Sequence, residues 1–235
     1  MMLLEKLAPN ILSKPDEFLE SCLQTLYMVL FSGGIAFVIG LAFGVILTVT
    51  RKGGILQNTA VYAVLDKAIN LFRSIPFVIL LTALIPVTRF VVGTAIGTKG
   101  AVLPLVAGTI PFYSRQVENA LVQLDHGLVE AAESMGSGPF EIIFRIYLRE
   151  SLPALSRATT VTLISLIGLT AMAGAVGGGG LGDFAVRYGH QRNQADVTYV
   201  TVIVLLAAVS LVQTIRAVAG TENDPLKAVL HRGKR

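Results

Sequence analysis

Apolar residues run uninterrupted through three stretches of this chain, and two shorter stretches lie between the first and second. Residues 21–50, 158–182 and 197–215 contain no Asp, Glu, Lys, Arg or His. A helix crossing the hydrocarbon of a bilayer needs roughly 20 apolar residues, because its backbone polar groups must pair within the segment. Each of the three runs meets that length. Residues 74–88 and 100–114 are charge-free for only fifteen positions each, bordered by Arg73, Arg89 and Arg115 and interrupted by Pro76, Pro86, Pro104 and Pro111. Fifteen residues suffice when flanking arginines extend to the headgroups. The pattern predicts an all-α polytopic membrane protein with five transmembrane helices, the second and third kinked by proline.

Between the third and fourth predicted spans the pattern changes. Over residues 123–157 the sequence becomes charged and amphipathic. Asp125 suits the cap of a helix in which Glu130 and Glu133 lie in early turns, near the positive end of the helix dipole. Leu128, Ala131, Ala132 and Met135 predict an apolar, small-residue face, and Gly136 a left-handed helix end. Ser137 is then the expected cap of a second helix, with Pro139 in its first turn. Phe140, Ile143, Phe144, Tyr147 and Leu148 recur at the spacing of one helical face, and Glu141 and Arg145 stand four apart as an ion pair. That stripe requires a cover: lipid, the chain's own helices, or a groove on a partner. The alanines favour a partner, because close approach of another backbone needs small residues and lipid does not.

Charge sets the orientation. Thirteen of the nineteen Lys and Arg fall in segments that are cytoplasmic if the N-terminus is outside: Arg51, Lys52, Lys67, Arg73, Arg115, Arg145, Arg149, Arg157, Arg216, Lys227, Arg232, Lys234 and Arg235. The cytoplasmic excess predicts N-out, C-in, and puts the charged loop in the cytoplasm. The start of the chain, with Asp16, Glu17 and prolines where a basic n-region should be, does not read as a signal peptide. Three units follow: an extracytoplasmic segment 1–17, a transmembrane domain 18–217 with its loop at about 123–157, and a cytoplasmic tail 218–235.

Composition removes several function classes. Hydrophobic residues make up 53% of the chain and charged residues 14%, against about 25% charged in soluble domains. A net charge of +4 without a basic cluster beside aromatics does not suggest nucleic acid. The single cysteine, Cys22, has no partner for an intrachain disulfide, and His126, His190 and His231 share no ligand spacing. GGGGLG at residues 177–182 matches a dinucleotide fingerprint, but it closes an apolar span instead of following a strand. Its expected role is tight packing and backbone flexibility. No phosphate-binding loop occurs, so the chain reads as no enzyme, with no catalytic or metal residue and no cofactor of its own. The charge-free stretches also hold no carboxylate for ion coupling. An uphill transporter of this kind takes its energy from another subunit.

EAA at residues 130–132, Gly136, then Ile146 and Leu148, resembles the cytoplasmic loop signature of binding-protein-dependent ABC importer permeases. Arg149 departs from it, since the family usually has proline there; Pro153 is the nearest substitute. NLFRSIPFVILLTALIPVTRFVVGT at residues 70–94, VENALVQ at 117–123 and TAMAGAVGGGGLGDFAVRYG at 170–189 are similar to the methionine-uptake permeases, across about residues 18–217. The resemblance implies a homodimer in the bacterial inner membrane, two ABC ATP-binding subunits that bind ATP and Mg, and an extracytoplasmic methionine-binding lipoprotein. It implies that Glu130, Ala131, Ala132, Ser134, Met135, Gly136, Phe140, Ile143 and Phe144 dock in a groove of the ATPase. It also implies a gate role for Met172, which as a residue reads equally well as core. Thr162, Ser165 and Thr170 are pathway candidates whose alternative is hydrogen bonding between helices. Arg73 and Glu118 are expected to pair. The rivals are a permease for another small amino acid, a gradient-driven carrier without an ATPase, and a membrane scaffold that does not transport.

Overall fold

The computed structural model describes residues 9–221, with side chains described through residue 218. His231, the tail cations and the first eight residues lie outside the described residues. The first long helix, α1 (Pro15–Thr50), opens with Pro15 at its first position and Asp16 and Glu17 in its first turn, which favours helix initiation there. Its buried face carries Gly33, Ala36, Gly40 and Gly44. Gly40 and Gly44 bring α1 against α5 (Gly97–Val122), while Gly33 faces Leu166. A Cβ at Gly44 would lie 2.5 Å from Val117 and one at Gly40 would lie 2.9 Å from Tyr113, so only glycine permits the approach.

The expected second span is segmented. Helix α2 (Thr59–Ser74) is capped by Asn58, whose side chain accepts from the amides of Ala60 and Val61. It stops where Pro76 forces Ile75 into an extended conformation. The chain continues as α3 (Phe77–Ala83) and α4 (Ile85–Val92), then turns through the left-handed Gly93. Pro86 stands in the first turn of α4 and starts a helix there. The expected third span is longer than its charge-free core, because α5 runs 26 residues through both Pro104 and Pro111.

The second half contains α6 (His126–Ser134), α7 (Pro139–Glu141) continued by a π-helical stretch Ile142–Leu148, α8 (Leu152–Ala173), α9 (Gly180–Phe184) and α10 (Ala195–Thr221). Among the described residues no strand occurs. Among the described residues, three helical stretches are individually long and apolar enough to cross a membrane: Pro15–Thr50, Leu152–Gly178 and Ala195–Val218. Ile85–Val92 and Gly97–Val122 meet the criterion together, bent by 117°. Leu19, Leu30, Val38, Phe90, Ile203 and Leu206 are exposed large apolar side chains along these helices, suited to contact with lipid.

The glycine run behaves as a packing hinge. Gly177, Gly179 and Gly180 all have positive φ, and a Cβ at Gly182 would lie 2.2 Å from the Ala171 carbonyl. The amides of Gly180 and Leu181 at the start of α9 donate to Gln24 and Thr25 of α1. The fingerprint therefore folds the chain back on α1, with no strand before it.

Candidate functional site

Helix α6 forms where its sequence predicts. Asp125 accepts from the Gly127 amide at 2.9 Å. The helix ends with the Gly136 amide donating to Glu133 and the Ser137 amide to Ala132, with Gly136 at φ 84°. That is the paired bonding of a Schellman end, which a left-handed glycine permits. Ser137 is spent in this turn, so the N-cap of α7 is Gly138, and no side chain caps it.

The expected single stripe of the second helix divides in two. Its π-helical winding brings residues five apart back to one side. Ile142 and Tyr147 are buried together, while Phe140, just before the π-helical stretch, and Phe144 and Arg145 within it are exposed. Val129, Ala132, Ile142, Ile143 and Tyr147 join Val49, Val117, Leu121 and Leu155 in one core, so half of the loop is covered by the ends of the chain's own long helices. Burial raises the Tyr147 phenol above its ordinary value, with Glu133 adding to this and Arg51 opposing it, and the phenol stays neutral. The other half has no cover among the described residues. Met135 is 80% exposed, Phe140 75%, Phe144 65% and Leu128 45%.

Of the predicted docking residues, Ala132 and Ile143 thus face the chain's own core. Glu130, Ala131, Ser134, Met135, Gly136, Phe140 and Phe144 are exposed. Arg145 and Glu141 pair at 2.6 Å beside the aromatics. An apolar patch rimmed by charge is the composition of a protein interface rather than of a solvated loop. At position 149, where the resemblance has proline, Arg149 stays helical; the chain bends at Ser151, and Pro153 opens α8. Proline thus stands four residues further along than the resemblance has it, and the bend falls at Ser151, two residues past position 149.

The pathway candidates separate. Thr162 and Thr170 are buried and bond to their own helix at Ala158 and Ile167. Ser165 lines a cleft, and Met172 is 43% exposed.

The expected Arg73–Glu118 pair is not formed. Glu118 pairs with Arg115 three residues before it at 2.5 Å, and Arg115 also reaches Asp66 at 2.5 Å and Asn70 at 3.1 Å on α2. Tyr62 donates to Glu118 from the same helix. Sequence reading missed this network because Asp66 and Asn70 lie outside the charge-free runs. Their i,i+4 spacing and the i,i+3 spacing of Arg115 and Glu118 were the available signals.

The family described as binding-protein-dependent transport system inner membrane component matches residues 36–219. The chain is 46% identical over 200 residues to a probable D-methionine transport system permease protein MetI of Vibrio cholerae, covering 85% of this chain and 89% of that one. It is 47% identical over 193 residues to the corresponding probable protein of Pasteurella multocida, covering 82% and 89%. Its fold is similar to a chain of the inward-facing MetNI methionine ABC transporter, CY5 native crystal form. The TM-score is 0.85 at 43% identity, covering 88% of this chain and 95% of that one.

Proposed function

The chain belongs to the binding-protein-dependent transport system inner membrane component family, and on that footing we propose that it is the permease subunit of an ATP-driven methionine importer. The exposed apolar face of the loop carries the reading. Leu128, Met135, Phe140 and Phe144 are exposed apolar side chains that no described residue covers, on a loop whose other face is built into the ends of the long helices. A partner gripping the first face moves the second, and with it α1, α5 and α8. In this reading the partner is an ABC ATP-binding subunit, which binds ATP and Mg and hydrolyses the nucleotide; the chain itself is no enzyme. Two permease chains and two such subunits form the complex, because one chain's few spans enclose little solute path. An extracytoplasmic methionine-binding lipoprotein delivers the substrate.

The topology proposed is five crossings, N-out and C-in, with α2, α3 and α4 together making the second. The excess of Lys and Arg on the loop side persists when Lys67 and Arg73, which lie inside α2, are left out, and it supports that orientation. Methionine is favoured over other amino acids by the names of the relatives this chain matches. The test is competition against radiolabelled methionine, in vesicles containing the complete complex. Unlabelled L- and D-methionine are expected to reduce uptake at least tenfold more effectively than other apolar amino acids. Equal competition by leucine or valine would assign the chain to a broader amino-acid importer.

A further inference from the structure

The pairing of Glu118 with Arg115 leaves Arg73 without a counter-ion among the described residues. Its guanidinium forms no ion pair or hydrogen bond with any described residue, while Arg115 is held by Asp66, Glu118 and Asn70. Arg73 stands in the last turn of α2, just before the break at Pro76. The break places Phe72, Arg73 and Phe77 beside Phe112, Ser165 and Leu169 around a cleft of about 220 Å³. Gly108 keeps one wall open, since a Cβ there would come 3.3 Å from the Phe77 ring. Ser165 differs from the threonines of its helix. Thr159, Thr160, Thr162 and Thr170 return their hydroxyls to the backbone, whereas the Ser165 hydroxyl bonds to no described residue.

We propose that this cleft is a transit subsite for a zwitterionic amino acid with an uncharged, apolar side chain, an assignment that rests on the importer reading above. The Arg73 guanidinium takes the α-carboxylate through its planar fork of donors. The Phe72, Phe77 and Phe112 rings take the side chain, and a thioether gains sulfur–ring contacts there. The Ser165 hydroxyl accepts from the α-ammonium. Among the described residues no carboxylate lines the cleft, so a cationic side chain finds no counter-charge there and meets Arg73 instead, which selects against lysine and arginine.

The test is saturation-transfer NMR on the detergent-purified permease–ATPase complex without binding protein, with L-methionine, its methyl ester and L-lysine as probes. Methionine is expected to give a thioether-methyl signal. The ester, which lacks the carboxylate charge, and the Arg73→Gln complex are expected to bind about tenfold more weakly, equivalent to ~1.4 kcal/mol; Arg73→Lys recovers part of the loss. Equal binding of acid and ester, an Arg73→Gln complex that binds like wild type, or no methionine signal at all overturns the subsite. If Arg73→Gln does not assemble, the ester comparison on the wild-type complex decides. ATP-driven methionine uptake by the wild-type complex with its binding protein is measured in parallel. Uptake without a cleft signal removes the subsite and leaves the importer reading standing; absence of uptake removes both.

Discussion

Replacing Phe140 and Phe144 together by alanine is expected to abolish ATP-driven uptake while leaving the permease folded in the membrane. The two rings are 75% and 65% exposed in the isolated chain, so their loss removes little internal packing. Substitutions at such exposed sites usually change stability by less than about 0.5 kcal/mol. In a groove they become anchors. Truncating a well-buried aromatic anchor costs about 2 kcal/mol or more, and losing two weakens association by at least ~100-fold. Titration of labelled ATPase subunit against the permease in nanodiscs measures this directly. Alanine at Ile142 and Ile143 supplies the contrast, because those side chains are buried in the chain's own core. Their loss is expected to lower folded yield first. Unchanged affinity in the Phe140/Phe144 variant would mean that the exposed face docks nothing.

Arg115→Leu is expected to be the most destabilising single substitution in the polar part of the bundle. It strips the cation from Glu118, whose side chain is 7% exposed, and from Asp66, which is 28% exposed. Removing one member of a buried ion pair costs about 3–5 kcal/mol. The partial exposure of Asp66 puts this case near the lower figure. The result should appear as loss of folded protein in detergent and as faster hydrogen exchange in α2, which Arg115 ties to α5. Replacing Arg115, Asp66 and Glu118 all by leucine should recover most of that stability, since no charge is then left unpaired. A single variant as stable as wild type would show that the cluster does not hold α2.

The long apolar helices were legible because a bilayer imposes one rule on every residue of a span. Residues 21–50, 158–182 and 197–215 obey it, and each lies wholly or largely within a helix that the structure forms. Helix α2 was not legible by that rule, because Asp66, Lys67 and Arg73 break the run. A search for amphipathic period starting from the Asn58 cap would have found it. The pairing of Glu118 failed for a related reason. Span ends suggested a partner on the neighbouring helix, yet the first contact is with Arg115 one turn away on the same helix.

At the loop, the cap at Asp125, the left-handed Gly136 and the Glu141–Arg145 pair follow from short-range chemistry, and all three form. The division of the apolar stripe could not be read from spacing. A period of 3.6 assigns Phe140, Ile143, Phe144 and Tyr147 to one face, whereas in the fold Ile143 and Tyr147 of the π-helical stretch turn inward and both phenylalanines stay outside. The winding belongs to tertiary packing against Val117, Leu121 and Leu155, which no local pattern encodes.

The central claim is that this chain moves solute only when an ATPase drives its loop. Purified permease in liposomes, with and without its ATP-binding subunits and with binding protein on the opposite side, tests that claim most directly. Radiolabelled methionine should cross only when the ATPase is present and ATP is supplied on the loop side, and the Phe140/Phe144 alanine variant should remain at background. Methionine uptake by the permease alone under a sodium or proton gradient would contradict the account.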